Sequence, residues 1–336
     1  MPRTGRTAPD EARSPTGRAA VDRLDRERDL AAVAELFGRV MPAPVTAAEL
    51  RERWRGERPL DHRFVLRPPS ADPGRVLGYG VVLRHAEMPE DQAVVWVAID
   101  PDRQRDGLGR RLWSELLPVA RSAGAERLLS RVRDDDEESL AWAVRRGFTV
   151  ARHNVQLELA VDDFPDARTE ALLRAAADAE IRCVTLAELG DDLATRKEIH
   201  HLETVLARDI PGSPQIPPFE VYQARYLSSQ RYRADGVLLA VHGDRIIGLT
   251  RLSLCPSGER MMHEITGVLP EYRGRGLART LKALAVRCAR NHGASILETT
   301  NDSENVPILS LNEGFGFRRA PGSYVLRREP RSDGAQ

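Results

Sequence analysis

Two stretches of this chain repeat one another at a constant spacing of 169 residues (Pro101 to Pro270), and that register limits what the chain can fold into. Pro101-Asp102-Arg103-Gln104-Arg105-Asp106-Gly107-Leu108-Gly109 aligns with Pro270-Glu271-Tyr272-Arg273-Gly274-Arg275-Gly276-Leu277-Ala278. The spacing then holds without a gap to Gly147-Phe148 and Gly316-Phe317, through Arg110/Arg279, Leu112/Leu281, Gly124/Gly293, Ala125/Ala294, Leu128/Leu297 and Leu140/Leu309. Segments of this length do not stay in register by accident, so the chain is a duplication. Its 336 residues suit two domains, each able to bury its own core.

The second copy shows what the repeated unit is built for. A strand-like run, Ile265 to Leu269, meets a glycine-bearing turn that opens directly into an amphipathic helix. Apolar residues at Leu277, Leu281, Leu284, Ala285 and Cys288 have the spacing of one helical face. Gly274 and Gly276 let a ligand approach the backbone, and the first helical N–H groups lack intrahelical partners at the positive end of the helix dipole. That arrangement suits a phosphate or pyrophosphate, although such glycines also shape turns that bind nothing.

Composition narrows the partners. Acidic and basic residues number 50 each, which argues against a protein that neutralises a nucleic-acid backbone. The cations are nearly all arginine, Lys197 and Lys282 being the two lysines. Cys183, Cys255 and Cys288 are scattered, without the spacing of a zinc site or disulfide framework, so a reducing cytoplasm is the expectation. His200-His201 lacks a carboxylate or cysteine at metal-ligand spacing, and no metal is expected. No apolar run reaches membrane-spanning length, and residues 1–19 read as a disordered tail. Oligomeric state is not legible.

Periodicity and turn residues give the same order of elements in each half: a strand, two helices, three strands, a helix, a strand, a helix and a closing strand. This is an α/β plan with a mixed sheet. The expected divisions are an N-terminal domain over 20–160, a linker over 161–179 with a helical centre, a C-terminal domain over 180–328, and a tail over 329–336. Pro118 falls inside the first copy's long helix, where it removes a hydrogen bond; Arg287 stands there in the second copy.

Arg273-Gly274-Arg275-Gly276-Leu277-Ala278 and Gln104-Arg105-Asp106-Gly107-Leu108-Gly109 both fit a [Q/R]xxGx[G/A] signature. Each follows a strand and a proline-containing turn, and each leads into a helix, a strand, a helix and Gly-Phe. In this the chain resembles the GNAT acyltransferase superfamily in a tandem, two-domain form, from about Val21 to Leu326. The resemblance implies two GNAT-like domains, each a mixed, mostly antiparallel sheet flanked by helices. It implies acetyl-CoA or another acyl-CoA as co-substrate, with the pyrophosphate on the backbone of Arg273 to Ala278 (Arg273, Gly274, Arg275, Gly276, Leu277, Ala278). It places the pantetheine and the thioester carbonyl along Gly267, Val268 and Leu269, and a second cofactor contact at Asn301 and Asn305. In the first copy the matching positions are Ala98, Ile99, Gln104, Arg105, Asp106, Gly107, Leu108 and Gly109. There Asp106 replaces Arg275 and sets a carboxylate near the anion, which makes the C-terminal copy the expected catalytic one and the first copy a degenerate partner.

The activity implied is transfer of an acetyl group to a primary amine of a small molecule or protein, by direct attack in a ternary complex. Amine acylation needs a base, and Glu264 is the candidate. Period two puts it on the face of Thr266 and Val268, and the fixed spacing sets it opposite Val95. The alternative is an edge charge on the solvent side, with Glu298 as a weaker base. Many relatives place a tyrosine four residues before the Gly of Gly-Phe; Asn312 and Ala143 stand here, so no general acid is named. The 209–218 segment matches the border of the acceptor site. A non-catalytic acyl-CoA-binding or sensing protein and a mycothiol-synthase-like tandem acetyltransferase are the alternative readings.

Overall fold

The computed structural model describes residues 19–41, 45–56, 58–69, 74–86, 88–210, 216–229, 231–255 and 258–330. The expected N-terminal tail, except Ala19, and the centre of the 209–218 loop lie outside these residues. The chain divides into two compact units, the second formed by Arg131–Arg327 and the first by the remainder.

The first unit contains β1 (Ala20–Arg23), α1 (Leu30–Val40), α2 (Ala47–Arg53), β2 (Leu60–Arg67), β3 (Gly78–Arg84), β4 (Gln92–Ile99), α3 (Leu108–Ser122) and most of β5 (Arg127–Arg133). The strands follow chain order, β1-β2-β3-β4-β5, antiparallel except for β4 beside β5. Leu30, Val33, Leu36 and Phe37 form the apolar face of α1 and pack with Trp54 and Tyr79. Pro118 is accommodated within α3.

The second unit begins with α4 (Glu137–Val144) and β6 (Thr149–Ala160), then α5 (Asp166–Asp178), β7 (Ile181–Thr185), α6 (Leu186–Leu189) and α7 (Leu193–Ala207). It continues with α8 (Phe219–Tyr222), β8 (Val237–His242), β9 (Arg245–Leu254), β10 (Arg260–Val268), α9 (Leu277–Asn291), β11 (Ile296–Asp302), α10 (Val306–Phe315) and β12 (Arg318–Arg328). Its strand order is β12-β6-β11-β10-β9-β8-β7, again with one parallel pair, β10 beside β11. Gly190, at positive φ, separates α6 from α7.

The compact units do not follow the divisions expected at 160 and 180. Strand β6 belongs to the first repeat, yet its hydrogen bonds go to β11 and β12 of the second unit. The connecting helix α5 joins the same unit: Glu170 pairs with Arg287 of α9 at 2.6 Å, and Asp166 with Arg290 at 2.5 Å.

In both copies the parallel pair is hydrogen-bonded only at its start. Gln92–Val94 lie beside Arg127–Leu129, and Arg260–Met262 beside Ile296–Glu298; beyond these the strands separate. The separation leaves backbone groups of β10 and β11 facing an open cleft that ends at the glycine turn.

Candidate active site

The turn after β10 is a single 3₁₀ turn, Pro270–Tyr272, followed by Gly274 at φ +76° and Gly276 at φ +80°. Gly276 caps α9 in a left-handed conformation that other residues adopt at a cost. It brings no side-chain oxygen to the helix start; Arg279 and Thr280 N–H donate to the Gly276 carbonyl, and the N–H groups of Leu277 and Ala278 are left for an external acceptor. A Cβ on Gly274 or Gly276 would meet no atom within 4 Å. Both glycines therefore face free space, and a pyrophosphate fits there. The surrounding pocket, about 540 Å³, is lined by Val268, Tyr272, Arg273, Gly274, Gly276, Leu277, Ala278 and Arg279, and across the cleft by Pro307, Ser310 and Leu311 of α10.

The other expected contacts lie apart from this pocket. Arg275 sits over the Tyr272 ring at 5.1 Å. Asn305 caps α10, its Oδ1 accepting from Ile308 N–H at 3.4 Å. Asn301 Oδ1 accepts from Asn312 Nδ2 at 2.8 Å, so the residue in the usual tyrosine position is spent inside the fold, with its own Oδ1 buried and unpartnered. Gly267 packs against α7, where a Cβ would come within 2.5 Å of Leu206. Leu269 is buried. Arg273 donates from Nε to the Val268 carbonyl at 3.0 Å and pairs with Asp209, tying the end of α7 to the turn.

The first copy keeps the backbone of this turn with different chemistry. Arg105 holds φ +66° where Gly274 stands, and Gly107, at φ +78°, caps α3 as Gly276 caps α9. Asp106 pairs with Arg103 at 2.8 Å, which partly neutralises the carboxylate. Leu108 and Ala98 are buried. Gln104 is exposed, and Gly109 and Ile99 are half-buried.

Pairing across the strands corrects the reading of Glu264. His263 lies opposite Leu252 and Ile265 opposite Arg251, so Glu264 is an extra residue, a β-bulge. In the first copy Val94, Val95 and Trp96 pair with Leu83, Val82 and Val81 without interruption. From the start of the parallel pair, Trp96 is four residues beyond Gln92, while Ile265 is five beyond Arg260. Val95 therefore corresponds to His263, and Glu264 has no counterpart. The bulge also breaks period two. Thr266 shares a face with His263, whose Nε2 lies 2.7 Å from the Thr266 hydroxyl, and Val268 lies on the α9 side with Leu281. Glu264 points to the opposite side, toward α7.

On that side the Ser253 hydroxyl donates to Glu264 Oε1 at 2.5 Å, and Arg251 Nη2 lies 3.3 Å from Oε2. The Glu264 side chain retains 28% exposure, which leaves room for another donor. Arg251 is sunk in the sheet, donating from Nη1 to the Tyr222 hydroxyl at 2.7 Å and lying 3.0 Å from Glu203 Oε1. The Glu203 carboxylate, from α7, is fully buried; its contact with Arg251 is ionic rather than an aligned hydrogen bond. Burial pushes the Glu203 carboxyl above its usual range and raises the Tyr222 phenol, while Glu203 helps keep Arg251 charged despite burial. His200 packs edge-on against Tyr222 at 5.0 Å and bonds the Pro217 carbonyl, so it supports this cluster. Sequence reasoning missed Glu203 and Arg251. The available signal was a carboxylate within the apolar stripe Ile199, Leu202, Leu206 of α7.

Tyr272 bonds His242 Nδ1 at 3.0 Å, and the Tyr324 ring lies tilted against His153 at 4.7 Å, so neither is placed beside Glu264. Glu298, the weaker base, is held by Arg260 Nε at 3.0 Å and accepts from Cys255. No helix among the described residues is long and apolar enough to cross a membrane.

A duplicated sheet, strands that separate in each copy, and a glycine turn at a helix start define the class. The sequence model of the acetyltransferase (GNAT) family matches residues 30–148 and again 199–317, and the chain belongs to that family in tandem form. It is a GNAT-type acyltransferase, and the acyl donor of the family is an acyl-CoA. Among curated proteins it is similar to an aminoglycoside N(6')-acetyltransferase type 1 of Salmonella typhimurium, 26% identical over 137 residues, 40% of this chain and 94% of that protein. A protein of the same name from Salmonella enteritidis is 28% identical over 109 residues, 32% of this chain and 74% of that protein. A tandem GNAT protein from the clavulanic acid biosynthesis pathway shares the fold with a TM-score of 0.71 at 20% identity, covering 93% of this chain and 98% of that one. A GCN5-related N-acetyltransferase from Sphaerobacter thermophilus gives 0.70 at 19% identity, covering 93% and 95%.

Proposed function

We propose that the C-terminal copy transfers an acetyl group from acetyl-CoA to a primary amine of a small molecule, by direct attack within a ternary complex. The observation that carries this reading is the inserted Glu264, a part-exposed carboxylate at the point where β10 leaves β11, in the copy whose glycine turn opens onto the 540 Å³ pocket. The backbone of Arg273 to Ala278 holds the pyrophosphate at the helix start, and the free edge of β10 at Gly267, Val268 and Leu269 holds the acyl arm. When bound, acetyl-CoA supplies an activated thioester. Glu264 takes the proton of the incoming ammonium on its free lone pairs, while Ser253 and Arg251 fix the carboxylate in place. The freed amine forms the C–N bond at the thioester carbonyl as the C–S bond breaks, and coenzyme A leaves as the thiolate, to be protonated by solvent. The aminoglycoside-modifying relatives support a small, amine-bearing acceptor. Three free thiols accord with a reducing, cytoplasmic setting.

The test is acetyl transfer to a panel of small amines by the full chain and by Glu264→Gln. The expected outcome is turnover that falls about 10²-fold or more in the variant, with acetyl-CoA affinity retained. Unchanged turnover would remove Glu264 from the mechanism. Acetyl-CoA binding without turnover on any amine would favour the alternative, an acyl-CoA-binding protein.

A further inference from the structure

The opposite face of the bulge carries a buried polar chain for which the fold alone has no use. Lys282 of α9 and His263 of β10 are each about 2% exposed, and their Nζ and Nδ1 atoms lie 3.0 Å apart. His263 Nε2 lies 2.5 Å from the Thr250 hydroxyl and 2.7 Å from that of Thr266, and the two hydroxyls are 2.9 Å apart. Thr250 in turn donates to the Ile265 carbonyl at 2.9 Å.

The donors fall in one order. With Lys282 donating to Nδ1, the neutral ring carries its proton on Nε2, which donates to the threonine hydroxyls. Thr266 then donates to Thr250, and Thr250 to the Ile265 carbonyl. The chain ends on the residue immediately after the inserted Glu264 and grips the side chain immediately before Gly267.

The first copy serves as an internal control. By strand pairing and the helix register, the positions of His263, Thr266, Thr250 and Lys282 are held there by Val95, Val97, Gly80 and Trp113. The first-copy strand runs through this region without a bulge. A sheet and helix of this kind therefore assemble with apolar side chains, and burying a lysine and a histidine instead is costly unless the groups do something. Lysine is itself scarce in the chain, Lys282 being one of two. In this place an arginine would bring a charge that cannot be lost.

We infer that Lys282, His263 and Thr250 are positioning residues for the acetyl transfer: acting through Thr266 and the Ile265 carbonyl, they fix the bulge that aims Glu264 at the acceptor and Gly267 to Leu269 at the thioester. The inference rests on the C-terminal copy being the active one. It assigns the network to kcat rather than to cofactor binding, because the glycine turn lies beyond its reach.

Thr266→Val, which removes one hydroxyl at a partly exposed site, and Lys282→Met, which keeps the length of the side chain, test it, with Thr266→Ser as the conservative control. Steady-state kinetics in the full chain are expected to show kcat lowered about tenfold by Thr266→Val and by Lys282→Met, the effect of one lost hydrogen bond carried to the transition state. The KM for acetyl-CoA stays within about twofold, and Thr266→Ser restores kcat. The imidazole nitrogen spectrum of the wild type is expected to show His263 protonated on Nε2. Wild-type kcat in a folded Thr266→Val protein, or a His263 proton on Nδ1, would overturn the inference; should Lys282→Met fail to fold, Thr266→Val decides alone. Loss of acetyl-CoA binding is the failure of the site assignment instead, and Gly276 variants report that separately.

Discussion

Two glycines at matching turns provide an experiment with its own control. Gly276 and Gly107 sit at φ +80° and +78°, each capping a helix of 15 residues, and a Cβ at either would meet nothing within 4 Å. Replacing either with alanine costs the fold about 1–2 kcal/mol of left-handed strain and nothing in clashes. The two variants should therefore lose stability equally, each lowering the melting temperature by a few degrees. Their effect on ligand should differ. At Gly276 the methyl enters the free space of the pocket, where the backbone has to approach a pyrophosphate, and affinity for acetyl-CoA should fall at least tenfold, a cost of about 1.4 kcal/mol. Calorimetric titration of acetyl-CoA into the full chain gives both affinity and stoichiometry. One site per chain, weakened by Gly276→Ala and unaffected by Gly107→Ala, is the expected result. Two sites would mean that the first copy tolerates Asp106 beside the anion. Unchanged affinity in Gly276→Ala, with the same loss of stability as in Gly107→Ala, would refute the placement of the pyrophosphate altogether.

Two further outcomes follow from the buried charges. Burial lowers the Lys282 ammonium from 10.5 to about 7, so the unfolded chain binds more protons than the folded one between those values. Below about pH 7 the penalty is fully present, and it fades as pH rises toward 10.5. Urea titrations of Lys282→Met should therefore show more gain, or less loss, against wild type at pH 6 than at pH 10, with a difference of at most roughly 4 kcal/mol; a pH-independent difference would contradict a lysine held near neutrality. Arg251→Met leaves the Glu203 carboxylate buried without its cation, at a cost of about 3–5 kcal/mol at neutral pH. Because burial already raises the Glu203 carboxyl, the carboxyl takes up a proton as pH falls, and the deficit should shrink between pH 7 and 5. A deficit that grows on acidification would mean that Glu203 does not carry it.

The repeat, the order of elements and the glycine turn were legible because each rests on a local rule: apolar period, turn residues, and a helix start that requires positive φ at Gly276. Glu264 was singled out from its place in β10, but its face was misread. Period two assumes an unbroken ladder, and one unpaired residue turns every earlier side chain to the other side. A constant spacing of 169 hid the insertion because the matching segments begin at Pro101, past the bulge. Glu203 and Arg251 were illegible for a different reason. Neither has a motif, and their partnership joins α7 to β9, 48 positions apart, which only the packed sheet reveals.

The divergence of the two copies can then be traced to a single inserted residue. A bulge in a buried strand leaves a peptide group without a ladder partner, which an apolar core does not tolerate. In the second copy the Thr250 hydroxyl bonds the Ile265 carbonyl, and the α9 side of β10 carries His263, Thr266 and Lys282, which satisfy one another. In the first copy there is no insertion, and Val95, Val97 and Trp113 stand at the matching positions. The carboxylate at the mouth of the cleft and the polar network behind it thus form one structural change seen from two faces. Removing the network without removing Glu264 should leave the carboxylate present but poorly aimed, and it is this separation of presence from aim that the kcat of Thr266→Val reads.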